Sequence, residues 1–383
     1  MTDTLTAYAQ GKIDQLAATS LLRTLQPTRR MAGVLVERGG RTLVSFSCND
    51  YLGLSHHPEV KAAAVRAVET YGTGAGASRL ITGDHPLFAE LEGRLAALKG
   101  TEAACIFGSG YLANTGIIPT FVGPGDLMLV DELAHACIWT GAKLSGAQVV
   151  SFRHNDVADL AAKLAEGRTD APKALVATDG VFSMDGDIAP LDEISRVCRD
   201  HDAWLLVDDA HGLGVVGDGS GSARMFPDAR VDLQMGTLSK AVGGYGAYVC
   251  ATRPVIDFIK TRTRTVVYST GLPPANAAAA IAALDVMARE PERIAAPIAK
   301  ARRLTTALNL APAESAVVPI ILGEATTALA AARDLEAKGL LVVPIRPPTV
   351  PAGTARLRLA FSSEHTDDQI DQLIEAVRPW LPR

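Results

Sequence analysis

Short apolar runs alternate with stretches of helical periodicity through the middle of the chain. Residues 103–107, 126–130, 148–152, 174–178, 204–208, 232–235 and 247–250 read as strands. Several of them are apolar at every position, the pattern of strands covered on both faces. The segments between carry apolar residues on one helical face, as in 190–199 with Leu191, Ile194 and Val197. Strand–helix alternation on this scale predicts a mostly parallel sheet of seven strands with helices on both sides.

Residues 86–99 read as a helix ahead of this core: Pro86 suits the first turn, Leu87, Leu91, Leu95 and Leu98 make a stripe, and Gly100 suits the stop. The composition shifts after Pro273-Pro274, where 275–289 reads as an Ala-rich linking helix. The rest reads as a smaller α+β unit. It closes on a helix that Thr366 and Gln369 would start as a capping box, with Ile370, Leu373, Ile374, Val377 and Leu381 on one face. The expected organisation is an N-terminal helical segment (1–45), a large α/β domain (46–274), and a linker helix with a small C-terminal α+β domain (275–383).

With 383 residues, 48% of them hydrophobic and 21% charged, the chain can bury a core without disulfide or metal staples. A net charge of −5 argues against a nucleic-acid partner, which needs clustered cations for phosphates. No apolar window is long enough for a membrane span, and the start, MTDTLTAYAQGKIDQ, lacks a signal pattern, so a cytoplasmic location is expected. The five cysteines are far apart, with neither CxxC nor a Cys/His cluster, and read as reduced thiols with no metal site.

Ligands of open α/β sheets sit beyond the carboxyl ends of the strands, and four of these loops carry candidate chemistry. Gly108-Ser109-Gly110-Tyr111 opens a helix and could offer N–H groups to a phosphate. His135 follows a strand and could stack on a ligand ring. Asp208-Asp209-Ala210-His211 places two carboxylates at a strand end, where a buried carboxylate needs a cationic partner such as a protonated ring nitrogen. Lys240 lies between Ser239 and the glycines 243, 244 and 246, where burial would make its amine a nucleophile toward aldehydes. Taken singly these are a tight turn, a structural His, a turn-capping Asp and a solvated loop Lys. Together and in this order they are the parts that pyridoxal phosphate (PLP) requires.

The strings FSCNDYLG (46–53), GSGYLAN (108–114), DELAHAC (131–137), TDGVFSMDGD (178–187), VDDAHG (207–212) and GTLSKAVGGYG (236–246) resemble the α-oxoamine synthases, PLP-dependent transferases of fold type I. The resemblance runs from Phe46 to Arg358. The string IRPPTVPAGTARLR (345–358) is most similar to members that condense L-alanine with a pimeloyl thioester, pimeloyl-CoA or pimeloyl-ACP, in biotin synthesis. Sister members use glycine and a different acyl-CoA.

The resemblance implies that Lys240 carries the cofactor and then moves the substrate α-proton. It implies that Asp208, selected over Asp209 by the DxxH spacing, pairs with the pyridinium nitrogen, that His211 bonds the ring hydroxyl oxygen, and that His135 stacks on the ring and faces substrate. Gly110, Tyr111, Ser183 and Thr237 would contact the cofactor. Ser269 and Thr270 would reach the cofactor phosphate of a neighbouring subunit, implying a homodimer. Arg23, Asn49, Arg346 and Thr349 would address the substrates, with Arg346 clamping the amino-acid carboxylate. The run Lys260-Thr261-Arg262-Thr263-Arg264 reads either as a contact for coenzyme A phosphates or as a solvated basic face.

Overall fold

In the computed structural model, which describes residues 4–19 and 21–381, seven strands form the central sheet. They are β1 (Ala103–Phe107), β2 (Leu127–Asp131), β3 (Gln148–Phe152), β4 (Ala174–Asp179), β5 (Trp204–Asp208), β6 (Leu233–Thr237) and β7 (Ala247–Ala251). The hydrogen-bonded order is β1-β7-β6-β5-β4-β2-β3. Strands β2 to β6 are parallel, whereas β7 runs against both of its neighbours, β1 and β6. The sheet is therefore the mostly parallel α/β layer expected, with one reversed strand that an apolar run does not announce.

Successive side chains of a strand face opposite sides, so one apolar run feeds two cores. Met128 and Val130 of β2 join Ile117, Ile118, Ile138, Ile256 and Ile259 under the helices Gly110–Phe121, Ala136–Ser145 and Arg253–Arg262. Leu127 and Leu129 pack on the other side against Leu160, Leu164, Leu191 and Ile194 of the helices Val157–Gly167 and Leu191–Asp200. Each fully buried side chain of this size contributes about 1.5–3 kcal/mol. Edge strand β3 is the exception, with only Phe152 fully buried.

Two strands start one residue later than expected, each just after an aspartate whose carboxylate accepts a backbone N–H. Asp126 Oδ2 accepts from the Gly123 N–H at 2.8 Å, and Asp232 Oδ2 accepts from the Leu205 N–H at 2.9 Å. Residues 35–45, expected within a helical segment, instead form a hairpin, Leu35–Arg38 with Arg41–Ser45, turning on Gly39 and Gly40 at φ 55° and 74°. Leu340–Leu341 pairs with the second of these strands, so the C-terminal part of the chain closes onto it. The helix Thr4–Ala18 precedes the hairpin and buries none of its side chains.

In the C-terminal part, strands Val317–Gly323, Ala355–Ala360 and Pro344–Ile345 form a small antiparallel sheet. It packs with helices Pro291–Ala307, Ala325–Ala337 and Asp367–Val377 around Phe46, Leu304, Leu335, Leu357, Phe361 and Leu373. The Thr366–Gln369 capping box is formed in both directions. No helix among the described residues is long and apolar enough to cross a membrane.

Candidate active site

The carboxyl ends of β2, β4, β5 and β6 surround a cavity of about 230 Å³. Gly110 and Tyr111 line it from the start of one helix, His135 from the loop after β2 and Cys137 from the helix that follows, Asp179 from β4, Asp208 from the end of β5 and His211 from the loop beyond, Thr237 from the end of β6 and Ser239 and Lys240 from the loop after it. An adjoining cavity of about 310 Å³ shares His135, His211 and Lys240 and adds Asn49, Ser183 and Arg358. A third, of about 690 Å³, meets the second at Val343 and Ile345 and holds Arg23, Arg346 and Thr349. A cavity of about 760 Å³ lies at the other end of the sheet, beside Trp204 and Ala251, and contains none of the candidates.

Burial pushes the Lys240 amine below the usual lysine range, while the nearby Asp208 and Asp179 carboxylates pull it back up. Lowering favours the free amine that attacks an aldehyde. The two adjacent aspartates separate cleanly. Asp209 faces away from the cavity, where its Oδ2 accepts from Lys99 Nζ at 2.8 Å and both oxygens accept from the Ser222 N–H at 3.0 Å. Asp208 faces in, with Oδ1 held by the Ala210 N–H at 3.0 Å and Oδ2 by Asn114 Nδ2 at 2.7 Å.

His211 shares a 2.6 Å hydrogen bond between Nδ1 and the Tyr51 hydroxyl. Burial drives its pKa well below the usual histidine value, with the charges of Lys240 and Arg358 acting in the same direction. His135 caps a helix and also lines the cavity. Its Nδ1 accepts from the Cys137 N–H at 3.3 Å, capping the next helix, while the ring lines both inner cavities. Burial lowers its pKa, Asp208 opposing. Its own N–H donates to Asp179 Oδ1 at 3.1 Å, and Asp179 is raised well above the carboxylate range, chiefly by burial and then by the charge of Asp208.

The residues present fit PLP. A buried amine, a buried carboxylate and an uncharged imidazole converge on one space, next to the N-terminus of a twelve-residue helix that offers N–H groups to a phosphate. A Cβ at Gly110 would come 3.3 Å from Met235 Cε, so this corner is closely packed. The Thr237 hydroxyl is 2.7 Å from Ser239 Oγ, at the same rim.

Arg358 was not among the sequence candidates. It lines the second cavity: Nη1 donates to Asn49 Oδ1 at 3.1 Å, Nη2 to the Tyr51 hydroxyl at 3.4 Å, and Nε to the Ser183 carbonyl. The signal was available in the alternation Arg356-Leu357-Arg358, two cations on one face of an otherwise apolar strand; Arg356 pairs with Asp185 on the same loop as Ser183. Arg346 lies instead in the outer cavity with Arg23, whose Nη2 donates to Thr349 Oγ1 at 2.8 Å. Ser269 and Thr270 line none of the three cavities, and Thr270 pairs with Ser78. The basic run does not form one patch: Lys260 Nζ is bound to Glu92 Oε2 at 2.6 Å, and the Arg264 guanidinium lies over the Tyr268 ring.

The family model of the aminotransferases of class I and II matches residues 41–377. A Phenylobacterium zucineum protein is 71% identical over 379 residues, 99% of this chain and 98% of its own length. The 8-amino-7-oxononanoate synthase of Beijerinckia indica is 58% identical over 381 residues, 99% of each chain. Among solved structures, a Sphingomonas wittichii serine palmitoyltransferase superposes with a TM-score of 0.92 at 32% identity, covering 99% of this chain and 98% of that one. The Francisella tularensis 8-amino-7-oxononanoate synthase gives 0.72 at 27% identity, covering 88% and 97%. The chain thus belongs to the class I and II aminotransferase family, PLP-dependent transferases of fold type I. Within it, near-full-length identity places the chain among the α-oxoamine synthases, PLP-dependent acyltransferases, in the branch of the 8-amino-7-oxononanoate synthases.

Proposed function

We propose that the protein condenses L-alanine with a pimeloyl thioester, carried by coenzyme A or an acyl carrier protein, releasing 8-amino-7-oxononanoate, carbon dioxide and the free thiol in biotin biosynthesis. The observation that carries this reading is the step from the inner cavity, with Lys240 and Arg358, to an outer one with Arg23, Arg346 and Thr349. An amino acid fits the first, and an acyl chain can extend through Val343 and Ile345 into the second. The name of the Beijerinckia indica relative supports the choice of substrates.

Bound through Lys240, PLP supplies an electron sink for negative charge developing on the substrate α-carbon. Asp208 would accept the ring N–H and keep that sink effective. His135 would lie at the ring face and His211 at the ring hydroxyl, with Gly110, Tyr111, Ser183 and Thr237 completing the set that would hold the cofactor. Lys240 would remove the α-proton and later return one; burial lowers its pKa, which favours the free amine that accepts a proton. Arg358, with Asn49, takes the amino-acid carboxylate, the role first expected of Arg346. Arg346, Arg23 and Thr349 serve the acyl donor. The working unit is a homodimer in which Ser269 and Thr270 approach the neighbouring site.

A substrate panel tests the reading: alanine, glycine and serine, each with pimeloyl-, acetyl-, succinyl- and palmitoyl-CoA and with pimeloyl-ACP, followed by thiol release. Alanine with a pimeloyl thioester is expected to exceed every other pair by at least about tenfold in kcat/KM, or ~1.4 kcal/mol of transition-state binding. Faster turnover of glycine with a short acyl-CoA, or of serine with palmitoyl-CoA, refutes it.

A further inference from the structure

We propose that Asn114 is a positioning residue for the cofactor: its amide locks the Asp208 carboxylate in place through a charge-assisted hydrogen bond, so that one helix fixes both the phosphate end and the ring-nitrogen end of PLP. The inference rests on the pairing of Asp208 with the ring.

Asn114 sits one turn inside the helix Gly110–Phe121, whose first residues line the phosphate corner. The residue is wholly buried. Its Nδ2 donates to Asp208 Oδ2 at 2.7 Å and lies 3.1 Å from Cys137 Sγ, while its Oδ1 is buried with no hydrogen-bond partner. Facing a carboxylate, the amide has to present its NH₂ group, because the flipped amide would set two acceptors against each other. An unpaired buried carbonyl is destabilising, and an apolar side chain would fill a helix interior at this position without that cost. The polar side chain therefore serves Asp208 rather than the core. The Cys137 thiol, 3.9 Å from the same carboxylate oxygen, stays protonated because burial, with Asp208 next, pushes its pKa up to about 12. The groups facing Asp208 are the donors Asn114, Ala210 N–H and Cys137, together with His135, Asp179, Lys240 and the buried Tyr248.

The test uses the PLP-loaded chain and its visible absorbance, which is independent of any acyl donor. Asn114→Ala removes the donor, and Asn114→Asp keeps the shape but donates only when protonated. Asn114→Ala is expected to weaken PLP binding by about tenfold to a hundredfold, the range for a hydrogen bond to a charged group, and to displace the pH titration of the bound chromophore. Asn114→Asp is expected to bind PLP more weakly still at pH 8 and to recover as the pH falls toward 6, a recovery that Asn114→Ala lacks. Wild-type affinity and titration in folded Asn114→Ala would overturn the proposal. So would equal losses in the two variants at every pH, the mark of packing alone. Should neither variant fold, the same question goes to the wild-type chain labelled with ¹⁵N-asparagine: the Asn114 side-chain amide resonances must move in Asp208→Ala, and unmoved resonances overturn the proposal. A wild-type chain that takes up no PLP removes the pairing on which the inference stands and overturns it as well, whereas wild-type uptake with unaffected variants defeats this inference alone.

Discussion

Replacing Lys99 by methionine should destabilise the protein far more than its distance from the cavity suggests. The Lys99 and Asp209 side chains are 1% and 2% exposed, and their charged atoms are 2.8 Å apart. At an effective dielectric constant of about 20 the attraction across that distance is about 6 kcal/mol, much of it offset by the desolvation of both groups. Methionine preserves most of the volume and removes the cation. Among the described residues, only the Ser222 N–H is then left as a donor to the buried Asp209 side chain. Breaking one side of such a pair costs about 3–5 kcal/mol, a large share of the roughly 5–15 kcal/mol that a folded domain has. Lys99 Nζ also donates to the Ser220 carbonyl at 2.6 Å, so the loss falls on the loop behind Asp208 and His211. Urea unfolding of the PLP-free chain measures the effect, and Asp209→Asn in the Lys99→Met background should restore part of the loss by removing the stranded charge. A single variant within about 1 kcal/mol of wild type, or a double variant as weak as the single, would refute the reasoning.

Arg358→Ala should raise KM for the amino acid by about tenfold to a hundredfold, the size of a lost charged hydrogen bond, while the PLP absorbance persists; an unchanged KM assigns the carboxylate elsewhere. His154 is clamped by Asp131 at 3.1 Å and Asp187 at 2.7 Å, and its pKa is raised from 6.5 to about 10 by those two carboxylates against the opposing effect of burial. A raised folded-state pKa means that its stabilisation is complete below about pH 6.5 and is lost as the pH rises through about 10. Melting temperatures at pH 6, 8 and 10 should therefore fall more steeply for wild type than for His154→Gln, and parallel profiles would contradict this. Gly243→Ala should cost more than about 1 kcal/mol, because φ is 72° and a Cβ there would lie 2.4 Å from the Ser55 nitrogen; urea unfolding reads it directly.

The parts of the fold that were legible are those with a local cause. A fully apolar run of five residues marked β1 to the residue, four apolar residues ending in Asp208 marked β5, Pro86 and Gly100 bounded their helix, and the Thr366–Gln369 pair marked the last helix start. The direction of β7 was not legible, because an apolar strand reads the same whether its neighbours run with it or against it. The hairpin at 35–45 carried a signal that went unused: Gly39-Gly40 between two strand-like runs suits a turn needing positive φ at both positions. In the site, loops after strands were chemically loaded, and the cavity gathers Gly110, Tyr111, His135, Asp208, His211, Thr237 and Lys240. Asp208 and Asp209 could not be separated by chemistry alone, because what divides them is a partner 110 residues away from Asp209, Lys99. For Arg358 the alternation Arg356-Leu357-Arg358 marked an unusual strand face, but its neighbours Asn49, Tyr51 and Ser183 are brought beside it only in the folded chain.

The central claim is that the Lys240 amine carries the cofactor aldehyde. The purified chain should be incubated with PLP, reduced with borohydride, digested, and mapped by mass spectrometry. The account predicts one stable pyridoxyl label, on Lys240, and none in Lys240→Ala. A chain that stays colourless and unlabelled, or a label that survives Lys240→Ala on another lysine, would contradict it.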